Sequence, residues 1–130
     1  MKRITIDFIE QKDQRYETVG DYTETETEIN FRITRFDNPI FSQAVTLHEM
    51  VEYFRNIQEG ITPDDVDAFD LDPVNQARAN ESPDGELGWL PDCPCHKQHV
   101  QADSIERLFV LFSNEDWLAY NEAIEQLFLP

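Results

Sequence analysis

The chain has 130 residues, 40% of them hydrophobic, including nine Phe, four Tyr and two Trp. That is the length of one domain, with enough large apolar material to build a core without disulfides, and it excludes wholesale disorder. Twenty-seven acidic against ten basic residues give a formal net charge of −17, which repels phosphate backbones and removes the counterion release that nucleic-acid binding depends on. Direct DNA or RNA binding is therefore not expected; cations, or the basic surface of another protein, are the partners this charge suits.

The opening residues MKRITIDFIEQ are too short and too polar a stretch for a signal peptide, and no apolar run has the length of a membrane span. The expectation is a cytoplasmic protein with no membrane partner. Ile4, Ile6 and Phe8 alternate with Arg3, Thr5 and Asp7, the period of a strand with one buried face. A second alternating run spans residues 23–35, with Ile29, Phe31 and Ile33 on one side and Glu24, Glu26, Glu28, Asn30 and Arg32 on the other. It reads as one or two antiparallel strands, and its TETETE segment as solvated strand whose charge blocks unwanted pairing.

Asn38-Pro39 is a helix start, because Asn caps free amides and Pro at the first helical position leaves none unpaired; Gly60 is the matching stop. Between them Ile40, Ala44, Leu47, Val51 and Phe54 make an apolar stripe, so a helix over 39–59 is expected to lie on the sheet. His48 and Glu52 fall about 40° apart along that helix and sit at the margin of the stripe. Thr62-Pro63 opens a short helix over the next residues. Residues 71–94, rich in Pro, Gly and polar side chains, read as a long loop. A second long helix is expected over 95–112, with Ala102, Ile105, Phe109 and Phe112 inward. A last one is expected over 114–128, capped by Ser113, with Trp117, Tyr120, Ile124 and Leu127 on one face. Strands first and helices after predict a single α+β domain over 1–130, a small antiparallel sheet of strands within 2–36 with the two long helices and the C-terminal helix on one face.

The chemistry is concentrated on the two long helices. LHEMVE places His48, Glu49 and Glu52 on the first, in an HExxE arrangement, and HKQHVQADSIERL places His96, His99, Asp103 and Glu106 along one face of the second. Either stripe alone reads as a solvated face in so acidic a chain. Together they hold all three histidines of the sequence, and imidazole nitrogen with carboxylate oxygen is a zinc donor set. The candidate ligands are His48, Glu52 and His99, with a position left for water. Glu49 is the candidate base, by analogy with HExxH helices in which that glutamate takes a proton from bound water. His96, Asp103 and Glu106 are candidates for a fourth ligand, for a second metal or for orienting His99, and Asp70 for reaching the metal or capping a helix; zinc is the expected ion, another divalent metal the alternative.

Cys93 and Cys95, one residue apart, close too small a loop for a stabilising disulfide and are expected to be reduced. A structural zinc on Cys93, Cys95, His96 and His99 is a competing arrangement, although structural sites separate their thiols by two to four residues.

QRYETVGDY, LHEMVE, GITPDDVDAFD and HKQHVQADSIERL, in that order along most of the chain, resemble a family of small proteins from bacteriophages and bacteria. That family has a QRYxTVGDW-like loop, an HExxE helix, a VDxFD segment and a later HxxH-like helix leading into Glu-Arg. The resemblance carries over to Arg15, Tyr16, Gly20, Asp21, His48, Glu49, Glu52, Asp70, His99, Glu106 and Arg107, and implies a pattern of residues without an activity. The chain departs from the family in Cys93 and Cys95, where Ala-Pro-Tyr is the commoner reading, and in its long acidic second strand. Arg15 and Tyr16 read either as a loop anchor or as a substrate contact.

Three functions are consistent with these features. One is a zinc-dependent, zincin-like hydrolase, with peptide bonds as the substrate by analogy. The second is a non-catalytic acidic interaction protein of phage type, a DNA mimic or inhibitor engaging a basic partner in the host cytoplasm. The third is an interaction domain without metal.

Overall fold

The computed structural model of the protein describes residues 2–83 and 85–129; Met1, Pro130 and Asp84, the last inside the stretch read as a loop, lie outside the described residues. Three strands, β1 (Arg3–Ile9), β2 (Gly20–Glu24) and β3 (Glu28–Thr34), are followed by α1 (Pro39–Gln58), α2 (Pro63–Asp70), α3 (Pro73–Glu81), α4 (His96–Phe112) and α5 (Trp117–Gln126). The α+β class expected from strands first and helices after is the class observed.

The sheet is mixed rather than antiparallel. Its order is β1-β3-β2, with β2 antiparallel and β1 parallel to the central β3. A tight hairpin joins β2 to β3, so β3 runs back between its partner and β1, and a strand entering from the same end as β3 must pair with it in parallel. The TETETE segment is not one strand: β2 ends at Glu24 and β3 begins at Glu28, and the hydroxyl of Thr25 accepts from the amides of Thr27 and Glu28 in the turn between them. A side chain that satisfies backbone amides locally competes with the ladder.

Ile29, Phe31 and Ile33 point into the core and are almost wholly buried. Ile4, Ile6 and Phe8 stand opposite them in register, yet each is about two-fifths exposed (42%, 39% and 42%), because β1 is an edge strand beyond the cover of the helices. The expected buried face of β1 is therefore only half covered. α1 packs on β2 and β3, α4 lies along α1, and α5 packs on α4. Tyr22, Phe31, Phe41, Val45, Tyr53 and Tyr120 fill the space between them, with the Tyr22, Phe31 and Tyr53 rings 5.3–5.9 Å apart in tilted and edge-on pairs.

Both long helices keep part of the expected inward face, Ala44 on α1 and Ala102 and Phe109 on α4, and are turned beyond it. On α1 the buried positions are Phe41, Ser42, Ala44, Val45, Thr46, His48, Glu52, Tyr53 and Asn56, whereas Phe54 of the expected stripe is exposed. On α4 they are Gln98, His99, Ala102, Glu106 and Val110, and the expected inward residues Ile105 and Phe112 are exposed, Phe112 by 78%. Where α1 and α4 meet, the polar stripes face each other instead of the apolar ones. Buried polar side chains at such a seam are stable only when they pair with one another or with an ion.

The stretch read as a loop contains α3, capped by Asp72 through the amide of Val74, and a 3-10 turn at Leu87–Trp89. Asp72-Pro73 repeats the Asn38-Pro39 and Thr62-Pro63 start signal, but the polar composition of residues 75–82 conceals the helix it opens. The last helix starts at Trp117 and is capped by Asp116, not Ser113. A capping box at the start of α2, with the Thr62 hydroxyl accepting from the Asp65 amide and the Asp65 carboxylate accepting from the Thr62 amide, fixes the helix that presents Asp67 and Asp70. Thr62→Ala is expected to lower unfolding stability by about 1 kcal/mol, read as a lower urea midpoint at unchanged slope. None of the helices among the described residues is long and apolar enough to cross a membrane.

Candidate metal centre

α1 and α4 bring His48, Glu52 and His99 together in the buried seam. His48 Nε2 is 3.1 Å from His99 Nδ1, and Glu52 Oε2 is 3.2 Å from each of those nitrogens. The three residues form a group that could hold a metal ion, and all are buried. The HExxE spacing puts His48 and Glu52 one turn apart on the same face of α1, and α4 delivers His99 against them.

The remaining hydrogen bonds decide where the protons sit. Glu106 Oε1 lies 2.6 Å from His48 Nδ1; a carboxylate can only accept, so Nδ1 donates and the lone pair of Nε2 is turned toward Glu52 and His99. The other oxygen of Glu106 accepts a short hydrogen bond from the hydroxyl of Tyr120, which is fully buried on α5. Glu106 thus orients His48, not His99. On the far side of the His99 ring, Nε2 is 3.3 Å from Glu86 Oε2, close enough for attraction, but the alignment makes no hydrogen bond and leaves that nitrogen unpartnered.

With His99 neutral and its N–H toward Glu86, three lone-pair-bearing atoms stand 3.1–3.2 Å from one another. Such an arrangement is repulsive unless a positive charge stands there, either a proton or a metal ion. Burial acts to lower the His48 pKa, but the hydrogen bonds to Glu106 and Glu52 outweigh it and raise the imidazole well above its ordinary 6.5. His99 is raised to about 10 against burial, chiefly by Glu52 and then Glu86. Burial also opposes the charge on Glu52, and hydrogen bonds with both histidines bring its carboxyl down to about 2.

His48, Asp103 and Glu106 form a second group of clustered ligand atoms. The 2.6 Å contact between His48 Nδ1 and Glu106 is just below the roughly 2.7–2.9 Å of a charge-assisted N–H···O hydrogen bond. A tetrahedral zinc holds neighbouring ligand atoms about 3.3 Å apart, from bonds of about 2.0–2.1 Å. A proton fits between these two atoms and a metal does not, which makes Glu106 a supporting carboxylate.

Glu49 lines the cavity beside this group. Its side chain lies against Gly20, where an added Cβ would stand 2.6 Å from Glu49 Cγ; the glycine that opens β2 leaves the room the carboxylate occupies. Burial, and then the charge of Glu52, raise its pKa well above the ordinary 4.5.

The other sequence candidates are placed elsewhere. His96 lies outside the group of His48, Glu52 and His99, and its Nδ1 donates to the carbonyl of Gly88 at 2.9 Å. Asp70 accepts from the Tyr16 hydroxyl at 3.2 Å, and Arg15 forks onto Asp21 (2.6 and 2.9 Å) and reaches Asp67 at 3.0 Å. Neither Asp70 nor Asp103 belongs to the group of His48, Glu52 and His99. Cys93 and Cys95 are free and buried, with sulfurs 3.1 Å apart, in a small cluster with Val66. With His96 and His99 engaged as described, the four do not assemble as a Cys/His zinc site. Cys95 does touch the centre, its thiol 3.8 Å from Glu52 Oε1.

Sequence reading missed the segment Glu86–Trp89. Gly88 lies so close to the His99 ring that an added Cβ would overlap it, and the Trp89 ring meets that of His99 edge-on at 5.0 Å. Leu-Gly-Trp inside a proline-rich stretch offered only one signal, an aromatic next to a glycine, and a glycine can mark close approach of the backbone.

Glu106→Gln preserves the side-chain length but removes the charge that His48 Nδ1–H faces. It is expected to weaken divalent-metal binding about 10–100-fold, read by competition with a chromogenic chelator. No family model, curated protein or solved structure matches this chain, so its chemistry rests on the geometry of the site.

Proposed function

We propose that the protein binds one zinc ion through His48, Glu52 and His99 and acts as a small zincin-like hydrolase in which Glu49 is the base. The observation that carries this reading is the triangle of donor atoms. Its edges of 3.1, 3.2 and 3.2 Å are close to the roughly 3.3 Å separating ligand atoms around a tetrahedral zinc, and two imidazoles with one carboxylate are a donor set of catalytic zinc sites, which keep one position open. Bound there, zinc would supply a Lewis acid and a water acidified toward neutral pH.

The chain's own residues supply the rest. Glu106, held by Tyr120, keeps the proton of His48 on Nδ1 so that Nε2 can ligate. Gly88 and Trp89 bracket the His99 ring. Glu49 makes no hydrogen bond among the described residues and faces the cavity, and burial with the charge of Glu52 raises its proton affinity above that of an ordinary carboxylate, as a proton acceptor requires. A ligand carboxylate adds negative charge to the metal and moderates its acidity, so slow or specialised chemistry is expected. The family resemblance to small phage and bacterial proteins accords with the same three ligands.

The test is elemental analysis of protein purified without added metal, followed by a zinc titration of chelator-treated protein. One equivalent of zinc, with a raised melting temperature when it is restored, is expected. Folded protein that takes up no zinc and shows no thermal shift would end this reading.

A further inference from the structure

His48, Glu49, Glu52 and His99 border a cavity of about 390 Å³ lined by β2 and the loop before it, α1, α2, α3, the segment at Glu86–Gly88, α4, and α5 with the residues that follow it. This volume is at the low end of small-molecule sites, roughly 300–1,000 Å³, and suits a short ligand. Away from the two histidines its walls are acidic: Asp21, Glu49, Asp67, Asp70 and Glu86 line it, and among the described residues no lysine or arginine does. Arg15, behind the wall, is the single cation there and is shared between Asp21 and Asp67. Asp70 receives only the Tyr16 hydroxyl, so one positive charge serves three carboxylates. Val66, Ala79 and Leu87 supply apolar surface in the same cavity. Apart from the carboxylates, His99 lines the cavity, and its buried Nε2 has no hydrogen-bond partner.

We propose that this cavity selects a substrate bearing a protonated amine on a short aliphatic arm, with the amine against Asp70 and the scissile group turned to His48 and His99. The second half rests on the zinc-hydrolase reading; the amine site stands on the cavity. Burial first, and then the charges of Glu52, Asp21 and Asp67, push the Asp70 carboxyl up to about 7, and an ammonium group beside it would offset that cost while the Tyr16 hydroxyl keeps the second oxygen in place.

The experiment is calorimetric titration of zinc-loaded protein with three ligands that differ only at the far end: 6-aminohexanohydroxamate, hexanohydroxamate and the monohydroxamate of adipic acid. The amine is expected to bind at least tenfold more tightly than the methyl compound, and the carboxylate more weakly than either. Asp70→Asn should bring the ratio of amine to methyl affinity close to one. Methyl binding as tight as amine binding in the unaltered protein overturns the proposal, with no variant needed. If no hydroxamate binds because zinc does not, the hydrolase reading fails by itself. Hexylamine against hexan-1-ol, titrated into metal-free protein, then decides the amine site: preference for hexylamine sustains it, and equal or no binding overturns it.

Discussion

His99→Ala is expected to abolish stoichiometric zinc binding, with an affinity loss on the order of 10³-fold or more, because it removes one of three donors and leaves two residues of a single helix turn to hold the ion. The control is His96→Ala. His96 is one turn away on the same helix but donates to the Gly88 carbonyl, so its replacement should leave zinc stoichiometry at one. Equal zinc affinity in His99→Ala and the unaltered protein would show that the triangle is not the binding site.

The same histidines set a pH dependence. In metal-free protein both imidazoles hold protons above their ordinary pKa, His99 up to about 10. Zinc must displace those protons, so its apparent affinity should rise with pH through the neutral range. The effect on stability has a definite sign. A folded-state pKa raised from 6.5 to about 10 contributes stability to the metal-free protein that is fully present below pH 6.5 and lost as pH climbs toward 10. The melting shift produced by zinc should therefore widen across that window, and calorimetric scans at several pH values with and without zinc would show it. A shift that narrows with rising pH would contradict the assigned protonation.

Glu49→Gln is expected to lower turnover of any substrate the protein hydrolyses by about 10²–10⁴-fold while one zinc remains bound. The amide is close in size to the carboxylate beside Gly20, so the packing against β2 is retained, whereas the capacity to accept a proton is removed. Loss of turnover together with loss of zinc would mean that the substitution damaged the ligand set, and unchanged turnover would remove Glu49 as the base. Gly20→Ala offers an independent approach to the same residue. The new methyl meets Glu49 Cγ and Oε1, so the glutamate must move, and activity should fall without any change in the chemical groups present.

The elements were legible wherever the local code is strong. Asn38-Pro39 and Thr62-Pro63 mark helix starts because the cap and the missing amide act within one turn, and both helices begin there. The alternation around Ile29, Phe31 and Ile33 marked the central strand because every second residue had to be buried. HExxE and the later histidine pointed to one shared group of ligands because a period of 3.6 residues fixes which side chains share a face of each helix, whatever the rest of the chain does.

What the periodicity left open was which face of each long helix turns inward. Phe54, Ile105 and Phe112 were expected in the core and are exposed, while His48, Glu52, His99 and Glu106 are buried in their place. Transfer preferences of single side chains favour the apolar stripe. The observed orientation is preferred only once two helices pair their polar groups with each other, and that pairing is a property of the two helices in contact. The parallel pairing of β1, the support of His48 by Tyr120 from another helix, and the contact of Gly88 with His99 are of the same kind. Local sequence suffices for the central strand, the two long helices, the charge and the residue types available as ligands, but not for α3. Only the assembled fold makes two acidic, histidine-bearing faces meet, because the cost of burying each is offset by the other and by nothing within its own helix.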